Sequence, residues 1–231
     1  MKKNLLKFVA LIAFFSLILG ACSPAAEPVN EVVVENVVEN VSETVEEVPV
    51  VAEVVVPDPV TMTIGYTQSI TGKYETSSGR QVRGFGLWMD AVNAAGGIEL
   101  SDGTVVTFDV ASYDDESNGD RVQELYTRLA TEDSADLLIS PYSSGLTASA
   151  SVIAEQYGKV MLTTGAASDG NYLQGFTQVF QIYTPASRYL AGAVDLLQNV
   201  DPAITKIAFV YENSKFSTDV VTGAKVYAEN L

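Results

Sequence analysis

From Thr61 to Asn230 the chain switches repeatedly between short β-rich runs and longer stretches of helical period, and this alternation constrains the fold more than any other feature. Thr61–Tyr66 alternates like a strand. Gly79–Ala95 then carries apolar residues at helical spacing through Val82, Phe85, Leu87, Trp88, Ala91 and Val92, and Gly96-Gly97 stops it. Thr104–Ala111, Ala135–Ser140, Val160–Thr163, Val179–Tyr183 and Lys206–Tyr211 read as further strands. Between them, Asp120–Thr131 (capped by Asn118 or Ser117), Gly145–Tyr157, Ser187–Gln198 and Ser217–Asn230 read as helices. Repeated β-α-β units of this length predict an α/β fold with a doubly wound parallel sheet and helices on both faces. Ligands of such sheets sit beyond the carboxyl ends of the strands, which directs attention to loops 67–79, 111–118, 141–146, 164–172 and 212–217. The sequence stops inside the last helix just after a second sheet has begun, so it reads as a piece of a longer polypeptide.

The segment before Thr61 has a different texture. Lys2, Lys3 and Lys7 precede Phe8–Leu19, an apolar run of 12 residues interrupted only by Ser16. That is short for a membrane span and suits the apolar region of a secretory signal. Residues 1–21 are therefore expected to be a signal peptide. Leu19-Gly20-Ala21-Cys22 resembles the bacterial lipobox, in which the cysteine is acylated. Cys22 is the only cysteine of the chain and is the expected lipidation site; an ordinary signal peptide with a chance cysteine is the other reading. Residues 23–60 hold nine acids, no bases, 15 valines and five prolines. Glu27, Glu31, Glu35, Glu39, Glu43 and Glu47 recur every fourth residue, which on a helix would stack like charges. Residues 22–60 are expected to be the acylated cysteine and an extended acidic tether, against the alternative of a short amphipathic element.

Composition removes much chemistry. With 29 acids against 13 bases the formal charge is −16, which repels phosphate backbones, so no nucleic-acid partner is expected. The chain has no histidine, which eliminates histidine-based triads and the commonest zinc ligand. One cysteine allows neither an intrachain disulfide nor a thiolate cluster.

The motifs narrow the choice further. Gly84-Phe85-Gly86 lacks a third glycine and lies inside a helix, so it fails as a dinucleotide fingerprint. Asp114, Asp115, Glu116 and Asp120 lack the spacing of a calcium loop and read as a solvated loop with helix N-terminal charges. More informative is Ser143-Ser144-Gly145 after the third strand, where hydroxyls and free N–H groups meet at a helix N-terminus that favours an anion. Thr163-Thr164-Gly165-Ala166-Ala167-Ser168 after the fourth strand repeats the arrangement. Together the two loops look like a site for a small carboxylate. A serine nucleophile lacks both a histidine and a GxSxG elbow.

Several motifs together resemble a known family: Ile70-Thr71-Gly72-Lys73-Tyr74, Asn93-Ala94-Ala95-Gly96-Gly97-Ile98, Tyr113-Asp114-Asp115-Glu116-Ser117-Asn118, Pro141-Tyr142-Ser143-Ser144-Gly145, Gly165-Ala166-Ala167-Ser168-Asp169 and Gly175-Phe176. In this order they are similar to the first lobe of bacterial solute-binding proteins of the branched-chain amino-acid (Leu/Ile/Val-type) group, with the type I periplasmic-binding fold. The resemblance covers residues 61–231. It implies a first lobe over 61–183 and the start of an incomplete second lobe over 184–231. It implies a non-enzymatic clamp without cofactor or metal, which captures an amino acid or similar small polar solute by hinge closure. Its partners would be the ligand, an ABC permease and, through the acyl chains, the membrane. The place would be the periplasmic or extracellular face. By the resemblance, Ser143, Ser144 and Gly145 bind the ligand carboxylate, and Gly165, Ala166, Ala167 and Ser168 supply further contacts. Ala167 stands where many relatives have threonine, with Ser168 one residue later. Phe216 would cover the ligand from the second lobe, or else simply pack, and Tyr74 would wall it from the first. A ligand-sensing subunit of a signalling system with the same fold is the alternative.

Overall fold

The computed structural model describes residues 57–231. The expected signal segment, Cys22 and all but the last residues of the tether lie outside the described residues. The elements are β1 (Val60–Gln68), α1 (Glu75–Ala94), β2 (Ile98–Glu99), β3 (Val105–Asp114), α2 (Gly119–Thr131), β4 (Leu137–Ile139), α3 (Ser144–Gln156), β5 (Met161–Thr163), β6 (Val179–Gln181), α4 (Ala191–Val200) and α5 (Lys215–Glu229). Two 3₁₀ turns, Asp169–Asn171 and Ala186–Arg188, flank β6.

The sheet order is β2-β3-β1-β4-β5-β6. Every neighbouring pair is parallel except β2–β3. From β1 the chain moves one way to β3, then passes back over β1 to β4, β5 and β6. Because such crossovers are right-handed, this reversal puts α1 on one face of the sheet and α2 and α3 on the other. It also leaves a crevice between the carboxyl ends of β1 and β4, where the connections part.

The core lies on the α2/α3 face. Val122, Tyr126 and Leu129 of α2 and Leu146, Ala150 and Ala154 of α3 pack over Leu138 of β4 and Met161 of β5. These positions follow the i, i+4, i+7 or i+8 spacing of a helix stripe. The Tyr126 hydroxyl, fully buried, donates to the Ile139 carbonyl at 2.5 Å. Asn118 caps α2 by accepting from the N–H groups of Asp120 and Arg121.

Four expectations need correcting. Lys206–Tyr211 forms no strand, because no neighbouring strand among the described residues offers it a ladder, and Val210 is fully exposed. The helix expected from Ser187 starts at Ala191 instead. The Asp169 carboxylate accepts from both the N–H (2.9 Å) and the hydroxyl (2.7 Å) of Ser187, which holds that segment as a 3₁₀ turn. The loop after β5 likewise runs into a 3₁₀ turn and not into a helix like α3. Finally, the acidic stretch is not a merely solvated loop. Asp115 is fully buried and accepts from the hydroxyls of Thr67 (2.7 Å) and Ser69 (2.6 Å), clamping the end of β1 to the end of β3. The edge strand β2 had no sequence signal; it becomes possible because Gly97, at φ +101°, lies where a Cβ would come within 2.5 Å of the Val106 carbonyl oxygen.

Candidate functional site

A strand exposes alternate side chains to opposite faces, so β4 and β5 serve two purposes. Leu138 and Met161 enter the core, while Leu137, Ile139 and Leu162 turn to the other face and floor a cleft of about 1070 Å³. The α1 wall contributes Tyr74, Arg80, Gln81, Phe85 and Trp88, and the far wall contributes Tyr183, Tyr189 and Phe216. The carboxyl-end loops after β4 and β5 close its polar end. The volume suits a small organic molecule.

The polar end is built on the start of α3. Ser143, at φ +86°, is the N-cap: its hydroxyl accepts from the Leu146 N–H (3.2 Å) and its carbonyl from the Thr147 N–H (3.0 Å). The Ser143 N–H itself donates to the Gly165 carbonyl at 3.1 Å, which ties this turn to the neighbouring loop. The N–H groups of Ser144 and Gly145 find no acceptor among the described residues. Such first-turn donors carry the positive end of the helix dipole and are ready to receive an anion.

Of the residues singled out from sequence, the cleft brings together Tyr74, Ser143, Ser144, Gly145, Gly165, Ala167 and Phe216. Ala166 and Ser168 are buried behind it. The Ala166 carbonyl accepts from the Tyr172 hydroxyl (2.6 Å), and the Ser168 N–H donates to the Ser144 hydroxyl oxygen (3.1 Å). Tyr74 packs edge-to-face on Tyr142 (centroids 5.8 Å apart), and Phe216 does the same on Tyr189 (5.4 Å). Burial, with Tyr183 beside it, pushes the Tyr189 hydroxyl up to about 12, so it remains a neutral donor at physiological pH.

Of the α1 wall the sequence pointed to Tyr74 but not to Arg80, Gln81, Phe85 or Trp88. Gln81 donates from Nε2 to the Ser140 carbonyl at 2.8 Å, holding the helix over the end of β4. That carbonyl can only accept, so the Gln81 amide nitrogen faces it and the oxygen turns toward Gly165. The only charged groups lining the cleft among the described residues are Arg80, Glu212 and Lys215. No cluster of three or more metal-ligating side chains occurs among the described residues, and no helix there is long and apolar enough to cross a membrane.

The cleft is apolar-floored, lies at the switch point of a mostly parallel sheet and is closed by a serine-capped helix start. Residues 61–231 match the family described as periplasmic binding protein. The chain belongs to this family. Among solved structures it is similar to the branched-chain amino acid transporter substrate-binding protein of Streptococcus pneumoniae in complex with isoleucine. The two share 25% identity at a TM-score of 0.50, over 59% of this chain and 39% of that one. A possible leucine/isoleucine/valine-binding protein of Rhodopirellula baltica is 17% identical at a TM-score of 0.63, over 74% of this chain and 44% of that one. A solute-binding protein of R. palustris in complex with 4-hydroxybenzoate is 16% identical at a TM-score of 0.60, over 74% and 44%. The periplasmic binding protein thus spans less than half the length of these solved structures. Its fold is the type I periplasmic-binding fold that the resemblance of its motifs implied.

Proposed function

We propose that this periplasmic binding protein captures an amino acid or a similar small polar solute outside the cytoplasm and delivers it to an ABC permease, without catalysing a reaction. The observation that carries this reading is the meeting of two loops at one end of the cleft: the start of α3 at Ser143–Gly145 and the turn through Gly165, joined by the Ser143–Gly165 hydrogen bond. A desolvated carboxylate loses hydration worth several kcal/mol. The free N–H groups of Ser144 and Gly145, with the nearby hydroxyls, offset that loss, and Arg80 and Lys215 line the same cleft. The apolar floor receives the side chain, and Tyr74 and Phe216 stand on opposite walls to cover it.

In this reading residues 61–183 form the first lobe and 184–231 the start of the second, which carries Phe216. Closure brings the two together because both touch the ligand, so the ligand stabilises the closed form over the open one. Residues 1–21 direct export, the acyl chains on Cys22 hold the protein at the membrane, and the acidic segment 23–60 gives it reach.

The test is thermal unfolding of the full chain against the proteinogenic amino acids, small amides, polyamines and hydroxybenzoates. Saturation at about 1,000 times the dissociation constant adds about 4 kcal/mol and raises Tm by several degrees. A selective shift with one α-amino acid supports the reading. A shift with a hydroxybenzoate alone, or none with any amino acid, overturns the substrate class.

A further inference from the structure

Behind the polar end of the cleft lies a hydrogen-bond chain that the ligand site itself does not require. Asp219, on the second turn of α5, accepts from the Ser168 hydroxyl and from the Gly170 N–H (3.2 Å). The Ser168 N–H in turn donates to the Ser144 hydroxyl oxygen, and the Asn171 side-chain amide donates to the Ser144 carbonyl (3.0 Å). One carboxylate is therefore linked through a single serine to the start of α3, while its own helix carries Lys215 and Phe216 on the opposite wall of the cleft. The Ala186–Arg188 turn on which α5 packs is tied to the same loop, since Asp169 accepts from Ser187. The packing is close: a Cβ on Gly223 of α5 would lie 2.3 Å from the Ser187 Cα, and a Cβ on Gly170 would lie 3.1 Å from the Lys215 Nζ.

We infer that Asp219 is a positioning residue for the ligand site, which fixes Ser144 and Phe216 relative to each other by clamping α5 onto the Ser168–Gly170 turn. The inference rests on the proposed function for its purpose, but the hydrogen bonds it describes join residues of the chain itself and do not pass through a ligand. One carboxylate oxygen, Oδ2, on a short, rotamer-restricted side chain holds both donors at once, and a charged acceptor makes each bond stronger than a neutral one would. Ser168, whose side chain is turned away from the cleft, thereby acts on the ligand through Ser144.

Amide hydrogen exchange on the full chain, free of ligand, tests the coupling. Asp219→Ala is expected to speed exchange at Gly170, at Ser168 and onward at Ser143 by about tenfold. Val122 and Leu138 in the core should stay unchanged, and Asp219→Asn, which keeps one acceptor oxygen, should restore most of the protection. Faster exchange confined to Gly170 and α5, or an equal rise at every core amide, overturns the inference, the latter by reducing Asp219 to a general contribution to stability. Titration with L-leucine and the other amino acids supplies the second readout. Asp219→Ala should weaken binding about tenfold and add little in a Ser168→Ala background, whereas multiplicative losses would contradict action through Ser168. If no amino acid binds the unaltered chain, the proposed function fails and the exchange data still decide the role of Asp219.

Discussion

The Ser143 N–H donates to the Gly165 carbonyl at 3.1 Å, which ties the first turn of α3 to the loop after β5. This bond holds Ser143 at φ +86°, where a side chain is ordinarily disfavoured. Strain of that kind persists only when the surroundings enforce it, and here they enforce the direction of the N–H groups that follow.

Ser143 therefore carries two opposing effects that substitution separates. Ser143→Ala loses the cap on Leu146 but keeps the backbone strain, and should cost about 1 kcal/mol in urea unfolding. Ser143→Gly loses the cap and relieves the strain, so it should cost less, only a few tenths of a kcal/mol. Both should weaken ligand binding, because the cap also orders the Ser144 and Gly145 N–H groups.

The alternation along β4 and β5 predicts a contrast between neighbours. Leu138 is fully buried in the core, and Leu138→Ala should destabilise by about 2–5 kcal/mol. Leu162→Ala faces the cleft, so it should cost less stability and shift the preferred ligand toward larger side chains. Denaturant midpoints and ligand panels on the two variants check both arms.

Acid should unfold the chain through specific carboxylates. Burial pushes Asp114 up, but the Glu116 N–H, the Thr71 hydroxyl and the N–H groups of Ile70 and Thr71 outweigh it and hold the carboxyl below its ordinary value. Glu155 is held down chiefly by the Gln178 N–H, against the opposing effect of burial, with the hydroxyl and N–H of Thr177 adding to the lowering. A depressed folded value means the stabilisation is complete above the unfolded value near 4 and is lost as pH falls through the folded value. Asp114→Asn and Glu155→Gln should each flatten the acid limb of a stability–pH profile and leave its slope above pH 6 unchanged.

Gly223→Ala should loosen α5 specifically. A Cβ there meets the Ser187 Cα at 2.3 Å and its carbonyl oxygen at 2.4 Å, neither of which can yield without moving the Ala186–Arg188 turn. Hydrogen exchange should rise in α5 and in that turn, while the sheet keeps its protection. A uniform loss of protection would show that α5 belongs to the same cooperative unit as the core.

The sheet was legible because its signals are local. Periodicity marks α2 and α3, Asn118 announces a cap, and Gly96-Gly97 ends α1 close to the residue where it stops. The same locality explains the failures. Lys206–Tyr211 has strand composition, but a strand exists only with a partner, and none is present among the described residues. The turn at Ser187 is set by Asp169, 18 residues away. Of the site, the serine and glycine loops could be read because loops at strand ends are the expected ligand positions. Gln81 could not, since its bond to the Ser140 carbonyl spans 59 residues and its place in α1 gives no sign that it faces a loop. Ser168 was legible as a hydroxyl beside the site, yet the direction of its side chain, toward Asp219, depends on α5.

The central claim is that the start of α3 and the Gly165 loop together receive a carboxylate. Backbone amide chemical shifts followed through a titration, with the amino acid that raises Tm and with the same acid converted to its amide, test it most directly. The account predicts that the amino acid moves the Ser144, Gly145 and Gly165 amides along one saturating curve and that the amide derivative leaves them nearly in place. Shifts centred elsewhere, or an equal response to the uncharged derivative, would contradict it.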